Sequence, residues 1–187
     1  TTICADVASQ YDIDFPELEK ETLIKLKEIL PSYATPNNPL DSTATLSYVP
    51  ELYAKAINII NDDPNIDMIL LGFTVLNNIL ESSAIFPMLE GIKIARAQAK
   101  LKPIAMISFV ECTRDLTIRE ELAKLDIPVL PSTVCAFKII KYLTNFINYN
   151  YSEKTLKVAL PKEKKSKEKI ILSEQESKKL LKEYGIK

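Results

Sequence analysis

Histidine is absent from these 187 residues, and so is tryptophan. The lack of His removes a phosphohistidine carrier, a Ser–His catalytic pair and every His-ligated metal site from this chain. Glycine occurs only 3 times, so no glycine-rich phosphate loop can be drawn. The three cysteines, Cys4, Cys112 and Cys135, are odd in number and far apart. With no CxxC pair, neither a zinc knuckle nor a thioredoxin-type centre is readable, and a reducing, cytoplasmic compartment fits best. Surplus charge is missing too: 24 Lys+Arg stand against 25 Asp+Glu, a net charge of −1. Nothing is left over to neutralise a phosphate backbone, so no nucleic-acid partner is expected. The most apolar stretch, Met68–Leu76, is too short to cross a bilayer, and no signal peptide is visible. The chain opens at Thr1 rather than Met, which reads as a processed or excised piece.

What is present is ordinary globular material, 47% hydrophobic and 26% charged. Residues 1–11 read as a short helix with Ile3, Val7 and Ala8 on one face. Asp12–Pro16 is a connector. Glu17–Leu30 is an amphipathic helix with Leu23, Leu26, Ile29 and Leu30 inward, and Pro31 follows its end. A loop over Pro31–Thr45 precedes a helix that Ser47 would cap, with Pro50 in its first turn. That helix runs to about Asn61, with Val49, Leu52, Tyr53, Ala56, Ile59 and Ile60 inward. The run Met68–Phe73 is apolar without alternation, as a strand buried on both faces would be. A helix over Ser82–Leu101, a strand over Pro103–Val110, a helix over Asp115–Leu125 and a short strand at Ile127–Leu130 follow. Thr133–Tyr149 is a helix with Ala136, Ile139, Ile140, Leu143 and Ile147 inward.

Strands alternating with helices imply right-handed crossovers and an open parallel sheet with helices on both faces, a flavodoxin-like α/β class. Only three strands are clear, and the chain opens on a helix, so a first strand is expected upstream. Residues 1–150 form the expected domain. Residues 151–169 are Lys-rich and read as a charged, solvated linker. In residues 170–187 a second element begins: Ser173 and Glu176 form a capping box, and Gly185 closes the helix.

Ligands of open α/β sheets lie beyond the carboxyl ends of the strands. Glu111, Cys112, Arg114 and Asp115 fall at such a strand end. There Cys112 is either a nucleophile activated by Arg114 or part of a polar loop in which Asp115 caps the next helix; without a His base the polar loop is favoured. Asn38 to Thr43 is the second candidate, since Pro39 biases Asn38 to extended backbone and Asp41 can accept local N–H groups. Asp6 is either a surface carboxylate or an interdomain contact.

Several of these residues carry a family likeness. Ala5-Asp6, Asp12-Ile13-Asp14-Phe15-Pro16-Glu17-Leu18, Leu30-Pro31 and Asn38-Pro39-Leu40-Asp41 resemble the third domain of NDP-forming acyl-CoA synthetases. These are the acetate–CoA ligases (ADP-forming), relatives of succinyl-CoA synthetase. Asp62 to Asp67, Lys102-Pro103-Ile104 and Ile127-Pro128-Val129 are similar to the same domain, and Leu172 to Ile186 is similar to the opening helix of the ATP-grasp domain that follows it.

The resemblance implies a module of an enzyme that interconverts acyl-CoA, ADP and phosphate with free acid, CoA and ATP through a phosphohistidine carried on another domain. It implies no cofactor in this chain, with ATP or ADP, Mg and CoA serving the whole enzyme. The implied partners are the CoA-binding, His-bearing and ATP-grasp domains of the same enzyme, and the sequence leaves an oligomer open. In the family a Gly-rich turn aims the first helix at the phosphohistidine. Thr1 and Thr2 stand at the corresponding helix start without those glycines, and Asp126 stands where the family commonly has Gly. The isolated chain is therefore expected to be inactive. The alternatives are a non-catalytic flavodoxin-like interaction or regulatory module and, weakest, a free-standing thiol enzyme using Cys112.

Overall fold

A computed structural model describes residues 2–74, 85–109, 116–149 and 171–186. The chain divides into two units, Thr1–Tyr149 and Asn150–Lys187. In the first unit three parallel strands, β1 (Ile69–Phe73), β2 (Ile104–Ser108) and β3 (Val129–Leu130), lie side by side in chain order. Register pairs Ile69 with Ile104 and Leu71 with Met106, so these four side chains share one face. That face is covered by α2 (Lys20–Ile29), α4 (Pro50–Asn61), α5 (Ile85–Gln98) and α6 (Leu116–Lys124), whose Leu26, Ile57, Ile92 and Leu122 join the same core. On the other face Leu70 and Ile107 meet α1 (Thr2–Gln10) and α7 (Thr133–Ile147) through Cys4, Ala8, Ala136 and Phe137. The expected open parallel sheet with helices on both faces is what forms. Every residue of β2 is buried, as its unbroken apolar run requires, whereas β1 at the edge is only partly covered.

Several boundaries differ from the expectation, each for a local reason. The second helix begins at Lys20 rather than Glu17, because Glu19 keeps extended backbone and gives its N–H to the Asp63 carboxylate at 2.9 Å. The loop after Pro31 contains an unforeseen helical turn, α3 (Thr43–Ser47). Ser47 is not the cap of α4: its hydroxyl donates to the Thr43 carbonyl at 3.0 Å, and Val49 occupies the cap position with Pro50 just inside. Val49 and Ile3 are exposed rather than inward, and Cys4 takes the buried place on α1. The fifth helix ends at Gln98, three residues short of Leu101. In α7 the inward set is Thr133, Ala136 and Phe137; Ile139, Leu143 and Ile147 point out.

Glycine scarcity is met by aspartate. Asp12 closes α1 with φ 50°, and Asp126 closes α6 with φ 49°, both in the left-handed region that Asp tolerates better than most residues. At each, the next N–H reaches back into the helix, Ile13 to Ala8 at 3.1 Å and Ile127 to Leu122 at 2.9 Å. Asp126 thus does here what glycine does freely. In the second unit, α8 (Glu174–Glu183) carries the expected capping box between Ser173 and Glu176, and Gly185 has φ 75°.

Candidate functional site

The start of α1 and the loop after α2 form a cleft of about 500 Å³, lined by Thr2, Ala5, Tyr33, Thr35, Asn37, Pro39, Asp41 and Thr43 among others. A smaller hollow of about 250 Å³ adjoins it, sharing Asp41 and Thr43 and reaching Phe73. Phe73 is the last residue of β1, so the hollow sits at the carboxyl end of the sheet, where open α/β folds take ligands.

Local chemistry shapes the loop. The Asn38 amide donates to the Pro16 carbonyl at 3.0 Å, tying the loop to the connector, and the Asn38–Pro39 peptide is cis. Asp41 Oδ1 accepts the Thr43 N–H at 3.0 Å, an Asx-type turn. Thr43 itself has φ 57°, a conformation that a β-branched residue adopts at a cost of about 1–3 kcal/mol. Its Oγ1 is buried and has no hydrogen-bond partner. A strained Thr with an unused hydroxyl therefore stands where the two hollows meet. Asp41 is exposed and negative, which suits loop shaping rather than contact with an anion.

The first turn of α1 holds no acidic residue, so its N–H groups and partial positive charge are not offset from within the helix. Cys4 is no nucleophile there. Burial pushes its thiol up, so it stays protonated at neutral pH and serves packing.

Of the residues singled out in the sequence, Thr2 and Asp41 line the same cleft. Asn38 braces the loop from behind, and Asp6 is exposed on α1 outside the cleft lining. Thr1, Glu111, Cys112, Arg114 and Asp115 lie outside the described residues, as does the 151–169 segment. Thr43, the last residue of the Asn38 to Thr43 candidate, lines the cleft too, whereas sequence reasoning missed Tyr33, Thr35 and Asn37.

No family model matches the chain. Over 144 residues, 75% of this chain, it is 27% identical to trans-feruloyl-CoA synthase FCS1 of an unidentified prokaryote. Among solved structures, the dinucleotide-forming acetyl-coenzyme A synthetase 1 of Ca. Korarchaeum cryptofilum, in complex with phosphate and ADP, superposes with a TM-score of 0.59 at 18% identity. The likeness to acyl-CoA synthetases is one of both sequence and fold. PH0766 from Pyrococcus horikoshii OT3 has the same fold, with a TM-score of 0.55 at 20% identity. Each of the two solved structures covers 77% of this chain. The chain spans 20% of the feruloyl-CoA synthase, 30% of the acetyl-CoA synthetase and 33% of PH0766, so each of these proteins is much longer than the shared module. Among the described residues no helix is long and apolar enough to cross a membrane.

Proposed function

We propose that this chain is the flavodoxin-like module of an NDP-forming acyl-CoA synthetase, which interconverts acyl-CoA, ADP and phosphate with acid, CoA and ATP. The observation that carries the reading is the cleft in which the start of α1, at Thr2, meets the Asn-Pro-Leu-Asp loop. The module's part is electrostatic. The N–H groups at the start of α1 favour a phosphoryl group arriving on another domain, and the Thr43 hydroxyl offers one further donor. Acid–base work and phosphoryl carriage fall to domains outside this chain, which has no His. ATP or ADP, Mg and CoA are assigned to the CoA-binding, His-bearing and ATP-grasp domains, in the cytoplasm.

A coupled assay with acetate, CoA and ATP tests this. The chain alone should give no turnover, and turnover should appear when the CoA-binding, His-bearing and ATP-grasp domains are supplied with it. Turnover from the chain alone would overturn the reading of an incomplete module.

A further inference from the structure

The sheet of the first unit has one unguarded edge. β1 has a neighbour on one side only, since the strand order is β1-β2-β3. Ile69 donates its N–H to the Pro103 carbonyl at 2.9 Å, and Phe73 accepts the Phe109 N–H at 3.1 Å, so the odd-numbered residues of β1 bond to β2. Backbone groups alternate in direction along a strand, so Leu70 and Gly72 turn their N–H and C=O groups to the outer edge. Among the described residues nothing hydrogen-bonds to those groups. Natural edges are guarded by charge, Pro, bulges or shortness. β3, on the other side of the sheet, is only two residues long and follows Pro128. β1 has five residues, Ile-Leu-Leu-Gly-Phe, and pairs with β2 without a bulge. Ile69 and Leu71 are only 6% and 7% exposed. An edge of this kind is suited to cover by another strand, which its free main-chain groups specify.

We propose that the outer edge of β1 takes a further strand: an extended, mainly apolar segment, parallel to β1, that leads into the start of α1. Handedness gives the side. α5 and α6 carry the chain from β1 to β2 and from β2 to β3 over one face of the sheet, and α4 lies on that same face. Crossovers over one face keep the same right-handed sense only when they advance in the same direction, so the strand behind the α4 crossover lies outside β1. α1 gives the direction. Thr2 lines the cleft whose adjoining hollow reaches Phe73, so α1 starts at the carboxyl end of the sheet. A strand parallel to β1 ends at that side, within a short turn of Thr2. An antiparallel one ends at the far side, roughly 17 Å away for a five-residue strand. Leu70 and Gly72 then each donate one and accept one main-chain bond, which completes the pairing of β1 on both sides.

Amide hydrogen exchange, read residue by residue by NMR, tests this on the full chain and on the same chain extended before Thr1. The extension is a strand-forming segment, Lys-Thr-Val-Ile-Val-Thr, followed by a Gly-Gly-Gly turn, and tethering keeps it at high effective concentration. Without it, the Leu70 and Gly72 amides should exchange fast, while those of Ile69 and Leu71, on the β2 side, exchange slowly. The extension should slow Leu70 and Gly72 by roughly a hundredfold or more and change Ile69 and Leu71 little. Its first residues should give nuclear Overhauser contacts to Ile69 and its last to Phe73. A Gly-Ser extension of equal length should leave all four rates as they are. Leu70 and Gly72 amides already as slow as Leu71 in the unextended chain overturn the open edge. Protection that grows with protein concentration in that chain gives the edge to a second copy and overturns the occupant. Unchanged rates in the strand-extended chain overturn the docking, and contacts in the reverse order overturn the parallel direction.

Discussion

Removing the Asp63 carboxylate should loosen the joint between α2, α4 and the lead into β1. Asp63 follows α4 and is 1% exposed. Its Oδ2 accepts the Glu19 N–H and its Oδ1 the Asn65 N–H, each at 2.9 Å, while its carbonyl accepts the Lys102 ammonium at 2.6 Å. The side chain thus caps α2 from 44 residues away in sequence. Burial alone would raise its carboxyl. The Thr22 hydroxyl, the two N–H groups and the Lys102 charge outweigh that and hold it below its ordinary value. Hydrogen bonds to a charged acceptor are worth about 1.5–3 kcal/mol each, and both main-chain donors lie near water that can partly replace the carboxylate. Asp63→Ala should therefore cost about 3 kcal/mol. Asp63→Asn, which keeps one acceptor but turns an NH2 toward the other donor, should cost about 2 kcal/mol. Because the folded-state pKa lies below the unfolded one, this stabilisation is fully present above about pH 4 and is lost as pH falls through the folded value. Urea unfolding followed by circular dichroism at pH 7 and again near pH 2 measures both effects. The gap between wild type and Asp63→Asn should be widest at pH 7 and shrink in acid. A cost below about 1 kcal/mol at pH 7, or a gap that does not narrow on acidification, would refute the capping account.

Gly91 lies where α5 crosses α4, and a Cβ there would stand 2.8 Å from the Pro50 carbonyl and 3.0 Å from Tyr53 Cβ. Gly91→Ala should therefore cost about 1–3 kcal/mol in chemical denaturation, since two backbones must separate. Thr43→Val keeps the shape and removes the unpartnered buried hydroxyl, so stability should hold or rise by up to about 1 kcal/mol while any phosphate affinity of the cleft falls. Asp126→Gly should leave the melting temperature level or slightly higher, whereas Asp126→Val at the same positive φ should cost about 1–2 kcal/mol. Ser132→Ala removes the hydroxyl that accepts the Cys135 N–H at 3.2 Å, and should cost about 1 kcal/mol by thermal unfolding.

The strands were legible because their runs, such as Ile104–Ile107, are apolar on both faces and bounded by Pro or polar residues. Helix ends set by local chemistry were legible too, as at Ser173 and Gly185. What stayed hidden depends on partners distant in sequence. The start of α2 is decided by Asp63, and the place of Ser47 by Thr43 folding into an extra turn. α7 misled for a different reason: a helix that is apolar on two sides has no unique inward face, and the residues that pack are those near Ile107 and Cys4 rather than those with the longest side chains. For the cleft, Thr2 and Asp41 could be singled out from residue type. Tyr33, Thr35 and Asn37 reach it only through the path of the loop.

The most direct test of the account is a titration of the isotope-labelled chain with inorganic phosphate, followed by backbone amide shifts. A single helix start contributes at most about 2 kcal/mol, so binding near millimolar or weaker is expected. The amides of Thr2, Ile3 and Cys4, together with those of Asp41 to Thr43, should move along one saturating curve, and Thr43→Val should weaken it. Shifts confined to residues around Arg114, with Thr2 to Cys4 unmoved, would put the anion site in the segment that follows β2 in sequence and contradict the cleft proposed here.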